Sequence, residues 1–179
     1  GHIILFVGRL MPIKNIENLI KAFHIVSTSD PRAYLVIVGE GPSKRDLISL
    51  TEKLGLEKKV LFTGAMPYED LPRVYNMADV FVLPSLYESF SLVALEAAAC
   101  GVPIVISEDA EAMIQTIGDD VVFPVNPHDP KLISQGILSA LNCGKNSKIT
   151  DLALQRIGKL DWNRNARMVT TIYDLVINS

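Results

Sequence analysis

The chain has 179 residues, of which 49% are hydrophobic and 21% are charged, and its formal net charge is −3. These values fit one ordinary globular domain with a hydrophobic core. The charged residues form no basic patch in the sequence, which argues against a nucleic-acid partner. Two cysteines, Cys100 and Cys143, are too few for a disulfide framework, and no stretch is apolar enough for a membrane span.

Short apolar runs alternate with segments of helical periodicity along the whole chain. The first strand is predicted at Ile3–Val7, and the first helix follows a loop, with Asn15 as its expected N-cap. The further predicted strands are 34–38, 59–62, 79–83, 104–106 and 121–123. The predicted helices are 16–26, 43–54, 68–78, 91–100, 129–141, 148–159 and 161–177. This alternation predicts an α/β fold, a doubly wound Rossmann-like parallel sheet of about six strands flanked by helices.

Residues 84–107 predict a turn, a helix and the next strand at the carboxyl edge of that sheet, where such folds bind ligands. Ser91 is a suitable N-cap for the helix. The helix is apolar on nearly every side except for Glu96, and Glu88 lies eight residues earlier in the turn. The N–H groups of the first helical turn form an anion site between the two carboxylates. The pattern suits a phosphate joined to sugars, or else Glu96 caps a neighbouring backbone or pairs with a Lys or Arg.

The segment around Glu88 and Glu96 resembles a known signature. It reads Leu-Pro-Ser-x-Tyr-Glu-Ser-Phe-Ser-Leu-x-x-Leu-Glu-Ala-x-Ala-Cys-Gly-x-Pro and resembles the retaining, nucleotide-sugar-dependent glycosyltransferases of the GT-B fold, group 1 or family 4. The resemblance covers roughly residues 6–141 and implies one half of a GT-B fold, a single donor-nucleotide-binding domain over 3–179 cut from a longer protein. Residues 160–179 are similar to the family's closing helix, which crosses toward the N-terminal domain.

The resemblance also assigns roles to individual residues. Arg9 and Lys14 are implied to stabilise the diphosphate leaving group without a metal, although the residues alone also fit two solvated surface charges. Glu88 is implied to face the donor sugar, and Glu96 to bind the ribose hydroxyls. The implied catalytic residues are Glu88, Arg9 and Lys14. The implied donor-binding residues are Gly8, Arg9, Lys14, Gly39, Gly64, Met66, Glu88, Ser89, Phe90, Ser91, Leu92 and Glu96.

Within this set, the N–H groups around Phe90, Ser91 and Leu92 are implied to bind the phosphates. The loop 64–66 is implied to pack on the nucleobase, and its alternative is a simple connector. Gly39 is expected to form a turn near the donor site. No metal and no cofactor are expected, because the three histidines lack metal-ligand spacing and the substrate itself is a nucleoside-diphosphate sugar.

Three positions depart from the family pattern. Asn15 stands where a Gly usually follows the Lys, and Ser91 stands where the family most often has Gly. The segment 107–115, expected to be a loop, lacks the family's Gly-Gly pair and Pro-Glu and contains three acids. This last difference bears on the acceptor side and on catalytic competence.

The resemblance implies transfer of a sugar from a nucleoside diphosphate to a hydroxyl of a glycan or lipid-linked acceptor, with retention at the anomeric carbon. The fragment is expected to be inactive alone and cytoplasmic, reaching the membrane surface through its N-terminal domain. One alternative is a non-catalytic nucleotide-binding module that serves assembly. Another is a sugar-nucleotide epimerase, against which the extended match argues. A Rossmann dehydrogenase is disfavoured, because the first βα loop lacks the Gly-rich fingerprint.

Overall fold

In a computed structural model, residues 1–88, 90–145 and 147–159 are described. Their strands are β1 Ile3–Val7, β2 Tyr34–Val38, β3 Val60–Gly64, β4 Val80–Leu83, β5 Ile104–Ser107 and β6 Val122–Val125. All neighbouring strands pair in parallel, in the order β3-β2-β1-β4-β5-β6. The predicted parallel sheet is confirmed. The helix predicted at 161–177 lies outside the described residues.

Helices cover both faces of this sheet. They are α1 Ile16–Ser29, α2 Lys44–Lys53, α3 Leu71–Met77, α4 Leu92–Ala99, α5 Glu111–Ile117, α6 Pro130–Cys143 and α7 Lys148–Ile157, with 3-10 turns at Pro12–Lys14, Tyr68–Asp70 and Asp119–Val121. On one face α1 contacts α2 and α6, while on the other α4 contacts α3 and α7. The fold is therefore doubly wound, as predicted.

The core follows from strands that are apolar throughout rather than alternating. Every residue of β4 and of β5 is buried, which is typical of central parallel strands covered on both faces. Phe6, Phe23 and Phe81 are among the largest side chains with no exposed surface. Among the described helices, none combines the length and the apolar character that crossing a bilayer requires.

One local prediction is wrong, and a second is confirmed only in part. The segment after β5 is not a loop as far as residue 115, because α5 begins at Glu111 and buries Met113 and Ile117 on one face. The apolar positions that mark this short helix are few, and the acidic residues beside them made the segment resemble a polar loop. Asn15 is the N-cap residue of α1, as predicted, but its side chain makes no capping hydrogen bond: it has a left-handed backbone, with φ of 54°, and its side chain contacts other loops instead.

The strand order creates a switch point between β1 and β4. From β1 the chain moves outward through β2 and β3, and from β4 it moves outward in the other direction through β5 and β6. The chain thus leaves β1 and β4 in opposite directions, the arrangement that forms a crevice at the carboxyl edge of open parallel sheets. In open parallel sheets such a crevice is the usual ligand site.

Candidate functional site

Glycines join the backbones of the three loops on one side of the switch point. The Gly8 N–H donates to the Val38 carbonyl at 3.0 Å, and the Gly39 N–H donates to the Gly64 carbonyl at 2.8 Å. A Cβ on Gly39 would lie 1.9 Å from the Gly8 carbonyl oxygen, and Gly39 has φ of 140°. A side chain is therefore excluded at Gly39, and these glycines fix the loop backbones at the site edge.

An ion pair crosses the switch point. The Lys14 ammonium lies 2.6 Å from Oε2 of Glu88, and the two side chains are 24% and 12% exposed. The Ser85 hydroxyl donates to the same oxygen at 3.4 Å. Nearby, the Leu86 N–H donates to the Ile13 carbonyl at 2.8 Å, so backbone and side chains both connect the loops after β1 and β4. The structure thus brings together two of the three residues expected to be catalytic.

Arg9, the third of these residues, is exposed and forms no ion pair with another described residue. It follows β1 directly, after Gly8. A guanidinium that no carboxylate neutralises keeps its charge and its donors for an anion.

Asn15 connects three loops of the carboxyl edge. Its side-chain amide donates to the Pro84 carbonyl at 3.0 Å and to the Pro127 carbonyl at 2.7 Å, and Asn18 donates to the same Pro127 carbonyl. Asn15 is 8% exposed. Asn is one of the few non-glycine residues that readily adopt a left-handed backbone, which explains how it can replace the glycine of the family pattern. The sequence reveals the substitution but not these contacts.

The N-terminus of α4 opens at the same edge. The Ser91 hydroxyl accepts the Ala94 N–H at 3.3 Å, so Ser91 is the N-cap that the sequence predicts. Phe90 and Leu92 are 41% and 57% exposed, which leaves this first turn accessible. N–H groups at an accessible helix N-terminus can bind an anion. Ser89, also expected to bind the donor, lies outside the described residues.

Glu96, half-buried on α4, has a neutral partner. The Tyr75 hydroxyl donates to Oε2 of Glu96 at 2.8 Å. Burial, and then the Glu96 carboxylate, raise the pKa of the Tyr75 phenol well above its usual value, and the Glu96 charge also raises the pKa of the exposed Tyr68. Glu96 therefore forms no ion pair with a Lys or Arg among residues 1–88, 90–145 and 147–159, which was one alternative that the sequence left open. Sequence reasoning missed Tyr75, although a Tyr on the apolar face of a helix signals a phenol that needs a partner.

Met66 is the last of the residues predicted to bind the donor. Met66 is half-buried in the loop after β3 and packs against the hydrophobic core.

A cavity of about 530 Å³ lies between α1 and α2, with Met11, Leu47 and Leu86 in its wall, and none of the predicted site residues lines it. Among residues 1–88, 90–145 and 147–159, no three His, Cys, Asp or Glu side chains cluster as metal ligands would. The absence of a metal in the reaction stays a prediction.

Comparison with known proteins identifies the family. Residues 1–153 match the family described as glycosyl transferases group 1. The chain belongs to the group 1 glycosyltransferase family. Over 97% of the chain, it is 36% identical to an uncharacterized glycosyltransferase of Methanocaldococcus jannaschii and 32% identical to the D-inositol 3-phosphate glycosyltransferase of Salinispora tropica.

A solved structure shares the fold of the chain. Sucrose-phosphate synthase from Thermosynechococcus elongatus superposes with a TM-score of 0.83 at 28% identity, over 99% of this chain and 46% of that chain. The chain covers 45% and 38% of the two curated relatives. It therefore spans less than half the length of these group 1 proteins.

The segment after β5, which departs from the family pattern in the sequence, presents carboxylates to solvent. Glu108 and Asp109 are exposed, and the Ser107 hydroxyl accepts the Asp109 N–H at 3.2 Å. Ala110 is fully buried and precedes α5. The Ala side chain thus completes the core beneath a turn that presents carboxylates at the carboxyl edge.

Proposed function

We propose that this chain is the donor-binding domain of a retaining glycosyltransferase that uses a nucleoside-diphosphate sugar. In the proposed reaction the bond between the anomeric carbon and the diphosphate oxygen breaks. The bond to the acceptor hydroxyl oxygen forms on the same face of the sugar, and the acceptor proton passes to the departing diphosphate. The acceptor class is a hydroxyl of a glycan or of a lipid-linked sugar.

One observation carries this proposal: a cation and a carboxylate pair at the switch point beside a helix N-terminus, and a second carboxylate lies further along that helix. Lys14 and Glu88 pair across the crevice, α4 begins beside Glu88, and Glu96 follows on the same helix. A nucleoside diphosphate sugar has two negative phosphates between two groups rich in hydroxyls. Cations and helix N–H groups match the phosphates, and carboxylates match the hydroxyls.

Binding of the donor requires an exchange of partners at Lys14. Its ammonium is held by Glu88, whereas the diphosphate is a second, competing anion. When Lys14 moves to a phosphate oxygen, Glu88 is released to accept hydrogen bonds from the donor sugar. Arg9 and the N-terminus of α4 add to the positive potential that stabilises the leaving group, which makes a metal unnecessary in this proposal.

The chain alone is proposed to bind the donor without transferring its sugar. It spans less than half the length of the group 1 relatives reported above, and the acceptor must approach the donor from outside the crevice. Sugar transfer is therefore proposed for a protein that combines this domain with a second one. Retention would be read from the anomeric configuration of its product by NMR.

The test is calorimetric titration of the chain with UDP, GDP, ADP and CDP, with and without EDTA. We expect one nucleotide to bind in EDTA, with affinity reduced about tenfold or more by Arg9→Ala and by Glu96→Gln, since each removes a charged interaction. Arg32→Ala is the matched control for Arg9, because Arg32 is 77% exposed and precedes β2 at the opposite edge. It should leave the affinity unchanged.

Three outcomes oppose the proposal in different ways. A folded chain that binds none of the four nucleotides contradicts the donor site. Binding that EDTA abolishes contradicts the metal-free reaction. A two-domain protein that binds nucleotide but transfers no sugar to any acceptor would favour the non-catalytic module, and an altered donor sugar without transfer would favour the epimerase.

A further inference from the structure

We propose that Tyr75 is a positioning residue that makes the donor site selective for ribonucleotides over deoxyribonucleotides. It would do so by orienting Glu96 toward the ribose hydroxyls. This inference rests on the proposed donor site, and it adds a residue from a different helix together with a measurable selectivity.

Tyr75 is itself held rigidly. It lies on α3, is 1% exposed, and its ring meets Phe81 of β4 edge-on, with ring centroids 6.0 Å apart and an interplanar angle of 66°. The phenol therefore cannot follow a side chain that moves; instead it fixes the position of what it binds. Glu96 is on α4, so this hydrogen bond joins two helices that pack on the same face of the sheet.

The hydrogen bond uses one of the two carboxylate oxygens. Tyr75 donates to Oε2 of Glu96 at 2.8 Å, and a ligand hydroxyl can approach this carboxylate from its exposed side, where the Tyr68 hydroxyl also interacts with it. A glutamate carboxylate rotates freely about its last torsion unless a partner holds it. With Oε2 fixed, Oε1 has a defined direction. The adjacent 2′ and 3′ hydroxyls of a ribose can then both donate to Oε1, or one can donate to Oε1 and the other to Oε2.

A neutral partner preserves the charge that a ligand hydroxyl needs. Lysine or arginine at this place would fix Glu96 equally well, but would neutralise much of its negative charge. The cation near this contact, Lys145, donates instead to the Asn76 carbonyl at 2.7 Å, at the end of α3. On the exposed side of the contact, the charge of Glu96 and a hydrogen bond to it raise the pKa of Tyr68, whose side chain is 68% exposed and can give way to a ligand hydroxyl. The oriented carboxylate therefore remains a strong acceptor within reach of solvent and ligand.

The experiment compares ribo- and 2′-deoxyribonucleoside diphosphates of the same base. The 179-residue chain is titrated with UDP, GDP, ADP and CDP and with their 2′-deoxy forms. We expect the unchanged chain to prefer the ribose form about tenfold, as one charge-assisted hydrogen bond allows. Tyr75→Phe should weaken the ribose form about three- to tenfold and leave the deoxy form within about twofold.

Matched variants separate positioning from a merely structural effect. Tyr34→Phe makes the same change at a half-exposed tyrosine at the start of β2, and should leave the affinities for both the ribose and the deoxyribose form unchanged. Glu96→Asp withdraws the carboxylate from Tyr75 while leaving the core untouched, and should reduce the ribose preference even if Tyr75→Phe folds poorly. Glu96→Gln combined with Tyr75→Phe should weaken the ribose form no more than Glu96→Gln alone, because both act through one contact.

Each possible result decides a different question. Equal weakening of both ligands by Tyr75→Phe would mean that the tyrosine only supports the fold, and would overturn this inference. A chain that binds nucleotide but prefers neither ribose nor deoxyribose would overturn it while leaving the donor site intact. A folded chain that binds none of the nucleotides would overturn the donor site, and the role of Tyr75 with it.

Discussion

The two carboxylates of the signature lie in contrasting surroundings. Glu88 is held by a charged partner, Lys14, on a loop from the neighbouring strand. Glu96 is held by a neutral phenol, Tyr75, which is buried between a helix and the core. The first partner is a cation that an incoming phosphate can attract. The second has no affinity for phosphate and is fixed by packing.

This contrast separates two tasks within one site. Under the proposed function, a partner that the ligand can compete for makes Glu88 responsive, because the surroundings of Glu88 would change on donor binding. A partner that the ligand cannot displace keeps Glu96 in one orientation whether or not the donor is present. The proposed donor site therefore combines a ribose contact at Glu96 that exists before binding with a sugar contact at Glu88 that binding releases, and the two contacts can be tested separately.

The largest loss of stability is expected where the loops after β1 and β2 approach each other, on the Lys14 side of the site. Gly39→Ala places a Cβ 1.9 Å from the Gly8 carbonyl oxygen, at a backbone φ of 140°. Relief of this overlap requires the loops after β1 and β2 to separate. We expect the free energy of unfolding to fall by about 3 kcal/mol or more, as measured by urea denaturation.

Gly55→Ala is the matched control for Gly39→Ala. Gly55 also has a left-handed backbone, with φ of 69°, but no heavy atom within 4 Å of the added Cβ. Its cost should be about 1 kcal/mol, from backbone strain alone. Equal losses for the two variants would show that the close approach of the loops contributes nothing beyond strain.

Substitution of Asn15 is expected to cause the next largest loss of stability, because its side chain connects the loop after β1 to the Pro84 and Pro127 carbonyls. Asn15→Gly retains the left-handed backbone but loses the hydrogen bonds to the Pro84 and Pro127 carbonyls. We expect a loss of about 2 kcal/mol on urea unfolding, and about 1 kcal/mol more for Asn15→Ala, which adds backbone strain. Asn18→Ala removes a single hydrogen bond to Pro127 and should cost about 1 kcal/mol. A Gly variant as stable as the unchanged chain would refute this role.

Glu88 and Glu96 should respond to the same substitution with opposite signs. Glu88→Gln weakens the hold on Lys14 and removes a negative charge beside the phosphates, so a nucleoside diphosphate without sugar should bind about fivefold more tightly. Glu96→Gln should bind the same nucleotide about tenfold more weakly, because a ribose acceptor loses its charge. Calorimetry in EDTA provides both values. A change of the same sign for both would remove the proposed division of tasks.

The sequence predicts the frame of the site better than its contacts. Strand runs such as Ile3–Val7, the parallel sheet and the Ser91 cap follow from hydrophobic pattern and local chemistry, and all are confirmed. The partners of Glu96 and Asn15 could not be predicted, because Tyr75 and Pro127 are distant in the chain and only the packing of helices and loops brings them close. The start of α5 was missed because a run of acids obscured a single turn of apolar periodicity.

The smallest expected effect concerns Ser91, which belongs to neither carboxylate but lies between them. Its hydroxyl caps α4 by accepting the Ala94 N–H, so Ser91→Ala should lower the free energy of unfolding by about 1 kcal/mol, and Ser91→Gly by only a few tenths. Both variants keep the backbone N–H groups that the proposal assigns to the phosphates. Nucleotide affinity should therefore stay within about twofold in each, by calorimetry. A tenfold loss in both would show that the hydroxyl itself binds the phosphate, and the helix N-terminus would then have a smaller part in the donor site.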